Sequence, residues 1–131
     1  MALTDDVTAF FIDKAYAYTH GQLRYLSLLF DVPSEMRIGT QVLVADQHSV
    51  IEGLFRTYRS NLMKMGYTET RATVMHVAEC ARGQFQALIK YTNKGAEGAV
   101  LSTELANYTM RQGEQGLRIT MSEFVDEPRP D

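Results

Sequence analysis

Lys14 interrupts an apolar stripe. It stands four residues after Phe10 and four before Tyr18, so all three share one face if the segment is helical. An amine set among aromatic side chains loses hydration, and that loss lowers its pKa. Such a lysine can act as a base or hold an anion. The plainer reading is a lysine whose stem lies along the stripe while its amine reaches water. Tyr91 and Tyr108 fall in two later segments of alternating pattern. On a shared concave surface their hydroxyls could donate to a carbonyl or a developing oxyanion. Otherwise they are core tyrosines with hydroxyls satisfied at the rim.

His76 and Glu104 are the other groups with acid–base chemistry. His76 lies in the middle of a strand-like segment and could line a pocket as acid or base. Glu79 is three residues on and faces the other side of a strand, so the two form no dyad. Val74 and Val77 conflict in parity, which leaves the face of His76 open. Glu104 shares a face by alternation with Ser102, Ala106, Tyr108 and Met110. Rise alone separates Glu104 from Tyr108 by roughly 13 Å, a span for a ligand rather than a direct contact. On a concave face Glu104 borders a pocket; on a convex face it belongs to a dimer interface. The pocket candidates are therefore Lys14, Tyr18, His76, Tyr91, Glu104, Tyr108 and Met110.

Other chemistries find no support. His20, His48 and His76 form no i, i+4 pair, so no metal site is expected. His20 reads as a partner of a helix C-terminus and His48 as a surface residue in a first turn. There is no G-x-S-x-G elbow, P-loop or G-x-G-x-x-G, and Cys80 stands alone. No cofactor is expected. The methionines, among them Met36, Met63, Met75 and Met121, read as adaptable core or pocket filler.

Periodicity supplies the elements. Thr4 is read as the N-cap of a first helix, with Asp5 and Asp6 in its first turn and Gly21 at its end. A short second helix carries Leu23, Leu26 and Phe30 and stops at Pro33. Residues 34–45 suggest a small hairpin. Asp46 can cap a third helix, with Ser49 and Glu52 as an alternative capping box. Its stripe is Val50, Leu54, Tyr58 and Leu62, with Phe55 beside it, and Gly66 ends it. After Gly66 the period falls to two, giving strands over 68–80, 84–91, 99–111 and 117–125. Turns are placed at Ala81-Arg82-Gly83, at Asn93-Lys94-Gly95 and over 112–116. Phe124 breaks the alternation of Leu117, Ile119 and Met121, which predicts a bulge near Met121-Ser122. Short turns between successive strands make an antiparallel meander, and helices ahead of it make the chain α+β.

The 131 residues suit one domain, read as 1–125 with a loose tail over 126–131. The chain carries a net charge of −3 with 13 scattered basic residues, which argues against a nucleic-acid partner. No apolar run nears the roughly 20 residues of a membrane span, and no basic-then-apolar leader opens the sequence. A single cysteine fits a reducing compartment, so a cytoplasmic protein is expected.

The order of elements resembles the nuclear-transport-factor-2-like superfamily, which includes SnoaL-like domains and ketosteroid isomerase. Tyr108-Thr109-Met110-Arg111 through Gly116-Leu117-Arg118-Ile119 is similar to its Y-x-L-R-R-x-x-G-G-W-R-I ending, with Met110 for Leu and Leu117 for Trp. Gly21-Gln22-Leu23 to Phe30-Asp31 is similar to its G-D-L to L-F-x-D run. Asp46 to Leu54 is similar to its G-R-x-A-I helix entry, without the Gly. The resemblance implies a cone-shaped α+β fold, a curved antiparallel sheet wrapped on helices, and often a homodimer packed through the sheet. It does not choose a function. Aligned on ketosteroid isomerase, the base position falls near Ile38, the tyrosine near Lys14 and the acid on Tyr108. The base is missing, so that reaction is rejected. Two expectations remain. One is a small-molecule-binding domain with an apolar pocket for an apolar or aromatic ligand, serving a cofactor-free isomerase or dehydratase. The other is a non-catalytic homodimeric module, for which Leu88, Leu101 and Leu105 could supply the convex surface.

Overall fold

A computed structural model describes residues 3–125. Helix α1 spans Leu3–Thr19 and presents Val7, Phe11, Lys14 and Ala15 inward. Asp5 and Asp6 occupy its first turn. Thr4 lies inside the helix instead of capping it, and its carbonyl accepts from Thr8 Oγ1 at 2.7 Å. The C-terminus closes as the glycine predicts. Gly21 has φ 72°, the Gln22 N–H donates to the Ala17 carbonyl at 2.8 Å, and the Gly21 N–H donates to that of Tyr18 at 3.2 Å. Arg59 adds two bonds that the sequence did not announce. Its guanidinium donates to the Tyr18 and Thr19 carbonyls at 2.8 and 2.9 Å.

Helix α2 spans Leu23–Ser27 and ends well before Pro33, which lies in strand β1 (Phe30–Ile38). β1 and β2 (Gln41–Ala45) form the expected hairpin. Helix α3 spans His48–Met63 and follows Gln47, whose side chain makes no capping bond. Neither Asp46 nor a Ser49–Glu52 box caps it. Ser49 bonds Gln47, and Glu52 is paired with Arg56 four residues on. Its buried face is also rotated from the one expected. Ile51 and Phe55 are buried, Leu54, Tyr58 and Leu62 are half-buried, and Val50 is exposed.

The meander is β3 (Tyr67–Ala81), β4 (Gln84–Gly95), β5 (Val100–Gly113) and β6 (Gly116–Val125). Asn93 and Lys94 belong to β4, and the turn that was expected on them falls after Gly95, in a short 3-10 segment, Ala96–Gly98. The curved, unclosed sheet has the order β2-β1-β6-β5-β4-β3. All neighbours are antiparallel except β1 and β6, whose parallel pairing joins hairpin to meander. The arrangement is α+β, with α1 packed on β3 and α2 on α3. The residues expected as a tail, 126–131, lie outside those described.

The core fills the concave side, and Phe11, Leu26, Phe30, Met36, Ile51, Ile89, Met110 and Ile119 are fully buried there. Burial of one such side chain contributes roughly 1.5–3 kcal/mol relative to leaving it exposed. Two of the sheet's register shifts decide which of the expected residues reach that side. In β3 the pairing jumps from Val74↔Ile89 to His76↔Leu88, leaving Met75 as the extra residue. In β6 it jumps from Met110↔Ile119 to Thr109↔Met121, leaving Thr120. The second bulge lies a residue before the expected place and lets Ile119 and Ser122 both face inward.

Candidate functional site

Inward alternation on β4 and β5 puts Tyr91 opposite Glu104, Ala87 opposite Tyr108 and Asn93 opposite Ser102. Lys14 reaches this row from α1, on which Ala15 and Ala17 are buried beside it. The row and the helices border an open cavity of about 1180 Å³. Lys14, Tyr18, Phe55, Tyr58, Tyr91 and Glu104 are among its walls. Ile38, the missing-base position, lines it as well.

The amine of Lys14 is the most unusual group there. The residue is 4% exposed, yet its hydrogen bond goes to a neutral group, from Nζ to Tyr91 Oη at 3.0 Å. Tyr91 Oη lies 2.8 Å from Tyr108 Oη, so the three polar atoms form a chain. Four rings surround the amine, with centroids 4.7 Å (Tyr91), 5.1 Å (Phe55), 5.5 Å (Tyr108) and 5.9 Å (Phe30) from Nζ. Burial lowers the Lys14 pKa from 10.5 to about 7, and the field of Glu104 offsets part of that fall. The edge-of-stripe reading with the amine in water therefore does not describe this lysine.

Glu104 keeps accessible surface because it borders the cavity, while the surrounding protein raises its carboxyl pKa; Lys14 opposes the rise. The Tyr91 and Tyr108 hydroxyls are held well above their ordinary range, first by burial. Tyr18, half-buried between the rings of Phe55 and Tyr67, is raised for the same reason. Both phenols and the phenol of Tyr18 thus stay protonated at any ordinary pH.

Three expected residues fall elsewhere. Tyr108 is 1% exposed and lies behind Tyr91, reaching the site only through the Tyr91 hydroxyl and not as a cavity wall. His76 is exposed on the outer face, opposite Leu88, because the Met75 bulge turns it away from the cavity. The same bulge puts Val74 and Val77 on one face, which removes their conflict. Met110 faces inward but lies in the core between Phe85 and Ile119, not among the cavity walls. Leu101 and Leu105 border the cavity, which leaves Leu88 alone of the three leucines as a purely outer-face residue.

A second polar group was hidden by the turn assignment. Asn93 is 2% exposed; its carbonyl accepts from Thr70 Oγ1 at 2.6 Å and its amide donates to Ser102 Oγ at 3.0 Å. Tyr67 Oη adds a 2.5 Å bond to Thr70 Oγ1. Thr70, Asn93 and Ser102 all border the cavity. The cavity thus combines apolar walls with two polar stations, the Lys14–Tyr91–Tyr108 chain and the Thr70–Asn93–Ser102 group.

No protein-family model matches the sequence, and no curated protein does. Solved structures do. Aln2 from a Streptomyces species superposes with a TM-score of 0.75 at 22% identity, over 93% of this chain and 88% of that one. An NTF2-like protein with a cystatin-like fold from Novosphingobium aromaticivorans gives 0.70 at 15% identity, over 92% and 79%. A protein from Catenulispora acidiphila, in complex with S-DNPA, gives 0.66 at 15% identity, over 93% and 92%. The chain therefore has the cystatin-like fold of nuclear-transport-factor-2-like and SnoaL-like proteins, the fold that its sequence resembles.

Proposed function

We propose that this domain binds a small, largely apolar or aromatic molecule in its cavity and acts on it as a cofactor-free isomerase or dehydratase. The observation that carries the reading is the buried Lys14 amine, bonded to Tyr91 on the wall of an open cavity, with the Tyr108 hydroxyl bonded behind Tyr91. Cavities lined by apolar groups with a few convergent polar atoms are the usual form of ligand sites. A carbonyl or phenolic oxygen of the ligand would take hydrogen bonds from Lys14 and Tyr91. Glu104, on the same cavity, would be the group that removes or returns a proton. A similar fold in complex with a small ligand, S-DNPA, adds support. The test is thermal stabilisation by 2-naphthol, an aromatic with one hydroxyl. At ten times its Kd a ligand adds about 1.4 kcal/mol to stability. The shift is expected in the native protein and not in Lys14→Met. Equal shifts in both would remove Lys14 from the site.

Pairing of two copies through the sheet is a second part of the reading. The outer face carries the half-buried Leu88 and Met121, and Met75 there is 54% exposed. Such a pairing would leave the cavity, on the opposite face, open to ligand.

A further inference from the structure

A general base need not be a primary amine, and a primary amine can do what a carboxylate or imidazole does not do stably: form a lasting bond to a carbonyl carbon. We propose that Lys14 is the nucleophile of the site and forms an imine with an aldehyde or ketone group of an aromatic ligand, an inference that rests on the ligand-binding reading above.

Four observations support it. First, the hydrogen bond of Nζ is to a phenol and not to a carboxylate, with Glu104 acting on the amine only through its field. Second, the rings of Phe30, Phe55, Tyr91 and Tyr108 surround Nζ and keep bulk water from the bond that would hydrolyse. Third, Tyr91 Oη, 3.0 Å from Nζ and 2.8 Å from Tyr108 Oη, is placed to pass a proton between nitrogen and the carbonyl oxygen. Fourth, Lys14 borders an open cavity that can admit the carbonyl compound. The low pKa of the amine, about 7, agrees with this geometry by leaving much of it neutral at neutral pH.

The step balances without an oxidant or reductant. The lone pair of neutral Nζ forms a C–N bond to the carbonyl carbon, and the C=O π pair moves to oxygen. One N–H proton passes to that oxygen through Tyr91, giving a carbinolamine. The C–O bond then breaks and oxygen leaves as water with the second N–H proton, while the nitrogen lone pair forms C=N. Once protonated, the iminium withdraws electrons from the neighbouring carbon. A C–H proton there becomes removable by the Glu104 carboxylate. Loss of a β-hydroxyl from the resulting enamine is a dehydration, and reprotonation at another carbon is an isomerisation.

The test uses the full chain with 2-naphthaldehyde and sodium cyanoborohydride, read by intact mass and peptide mapping. The chain has four lysines, Lys14, Lys64, Lys90 and Lys94, so the sites are easily told apart. The expected result is one reduced adduct per chain, on the peptide holding Lys14. Its rate should be about tenfold higher at pH 8 than at pH 6 and then level off, as for an amine titrating near 7. Lys14→Arg should lose the adduct. Tyr91→Phe, which keeps the amine, should form the same adduct several-fold more slowly. Labelling of the other three lysines with Lys14 unmodified overturns the imine. If 2-naphthol still stabilises the native protein in that case, the binding reading stands without it. If 2-naphthol also fails, both fall.

Discussion

Lys14 and Tyr91, 77 residues apart in the chain, meet through a 3.0 Å hydrogen bond that joins the first helix to the middle of the sheet. The bond couples stability to pH. Folding lowers the Lys14 pKa from 10.5 to about 7, so between those values the unfolded chain binds more protons than the folded one. Stability therefore rises with pH through that window. Below pH 7 the amine is charged in both states and the full burden of burying it is felt, on the order of 5 kcal/mol. Lys14→Met is expected to be more stable than the native protein at pH 6 by about 3 kcal/mol, after the lost hydrogen bond is counted. The burden falls by about half by pH 9, so most of the gain should vanish there. Urea denaturation at the two pH values checks this, and a gain that is flat with pH would place the amine in water.

The hydroxyl chain is asymmetric. Among the described residues, Tyr91 Oη bonds both Lys14 and Tyr108, whereas Tyr108 Oη bonds Tyr91 alone. Tyr91→Phe strands two buried polar atoms and is expected to cost about 2–3 kcal/mol. Tyr108→Phe removes one of the two bonds of Tyr91 Oη and leaves the other, at about 1 kcal/mol. A double-mutant cycle by urea denaturation should return a coupling between the two tyrosines, since they share one bond. Equal single costs with no coupling would mean that the chain is not formed in solution.

Much of this site follows from alternation and helical spacing, and the rest does not for identifiable reasons. Phe10, Lys14 and Tyr18 at i, i+4 spacing put the lysine on the inward face, and period two puts Glu104 and Tyr108 on one side of β5. The bulge at Met75 defeats period two, because one extra residue reverses the face of everything after it. His76 turns away from the cavity for that reason alone. Asn93-Lys94-Gly95 has turn composition, yet Asn93 finds buried partners in Thr70 and Ser102, a tertiary compensation that no local pattern displays. α3 departs in a similar way: Ile51 and Phe55 face inward instead of Val50, with no capping side chain to fix the start of the helix.

Glu104 and Lys14 act on each other's protons in opposite directions. Partial loss of hydration at the cavity wall raises the Glu104 pKa and the lysine holds it down, while the carboxylate holds the lysine pKa up. Glu104→Gln removes that support, so Lys14 should titrate at a lower pH than in the native protein. The ¹³Cε shift of labelled lysine reads the midpoint directly. The native folded state also binds extra protons at Glu104 above its ordinary pKa, and stability falls as pH rises through that range. Glu104→Gln should flatten that fall. An unchanged Lys14 midpoint would separate the two groups electrically.

Asn93 tests whether the second polar station serves the fold or the ligand. Its carboxamide bridges Thr70 on β3 and Ser102 on β5, with Tyr67 extending the group. Asn93→Ala leaves the buried Thr70 hydroxyl and the half-buried Ser102 hydroxyl without that partner, which is expected to cost about 2 kcal/mol in urea denaturation. Asn93→Asp keeps the acceptor for Thr70 but replaces the donor to Ser102 with a carboxylate oxygen. Ser102 can rotate its hydroxyl and donate instead, at the expense of burying a charge. Asn93→Asp should therefore recover stability as pH falls and the carboxyl is protonated. If Asn93→Ala leaves stability unchanged but abolishes stabilisation by 2-naphthol, the group belongs to the ligand site and not to the scaffold.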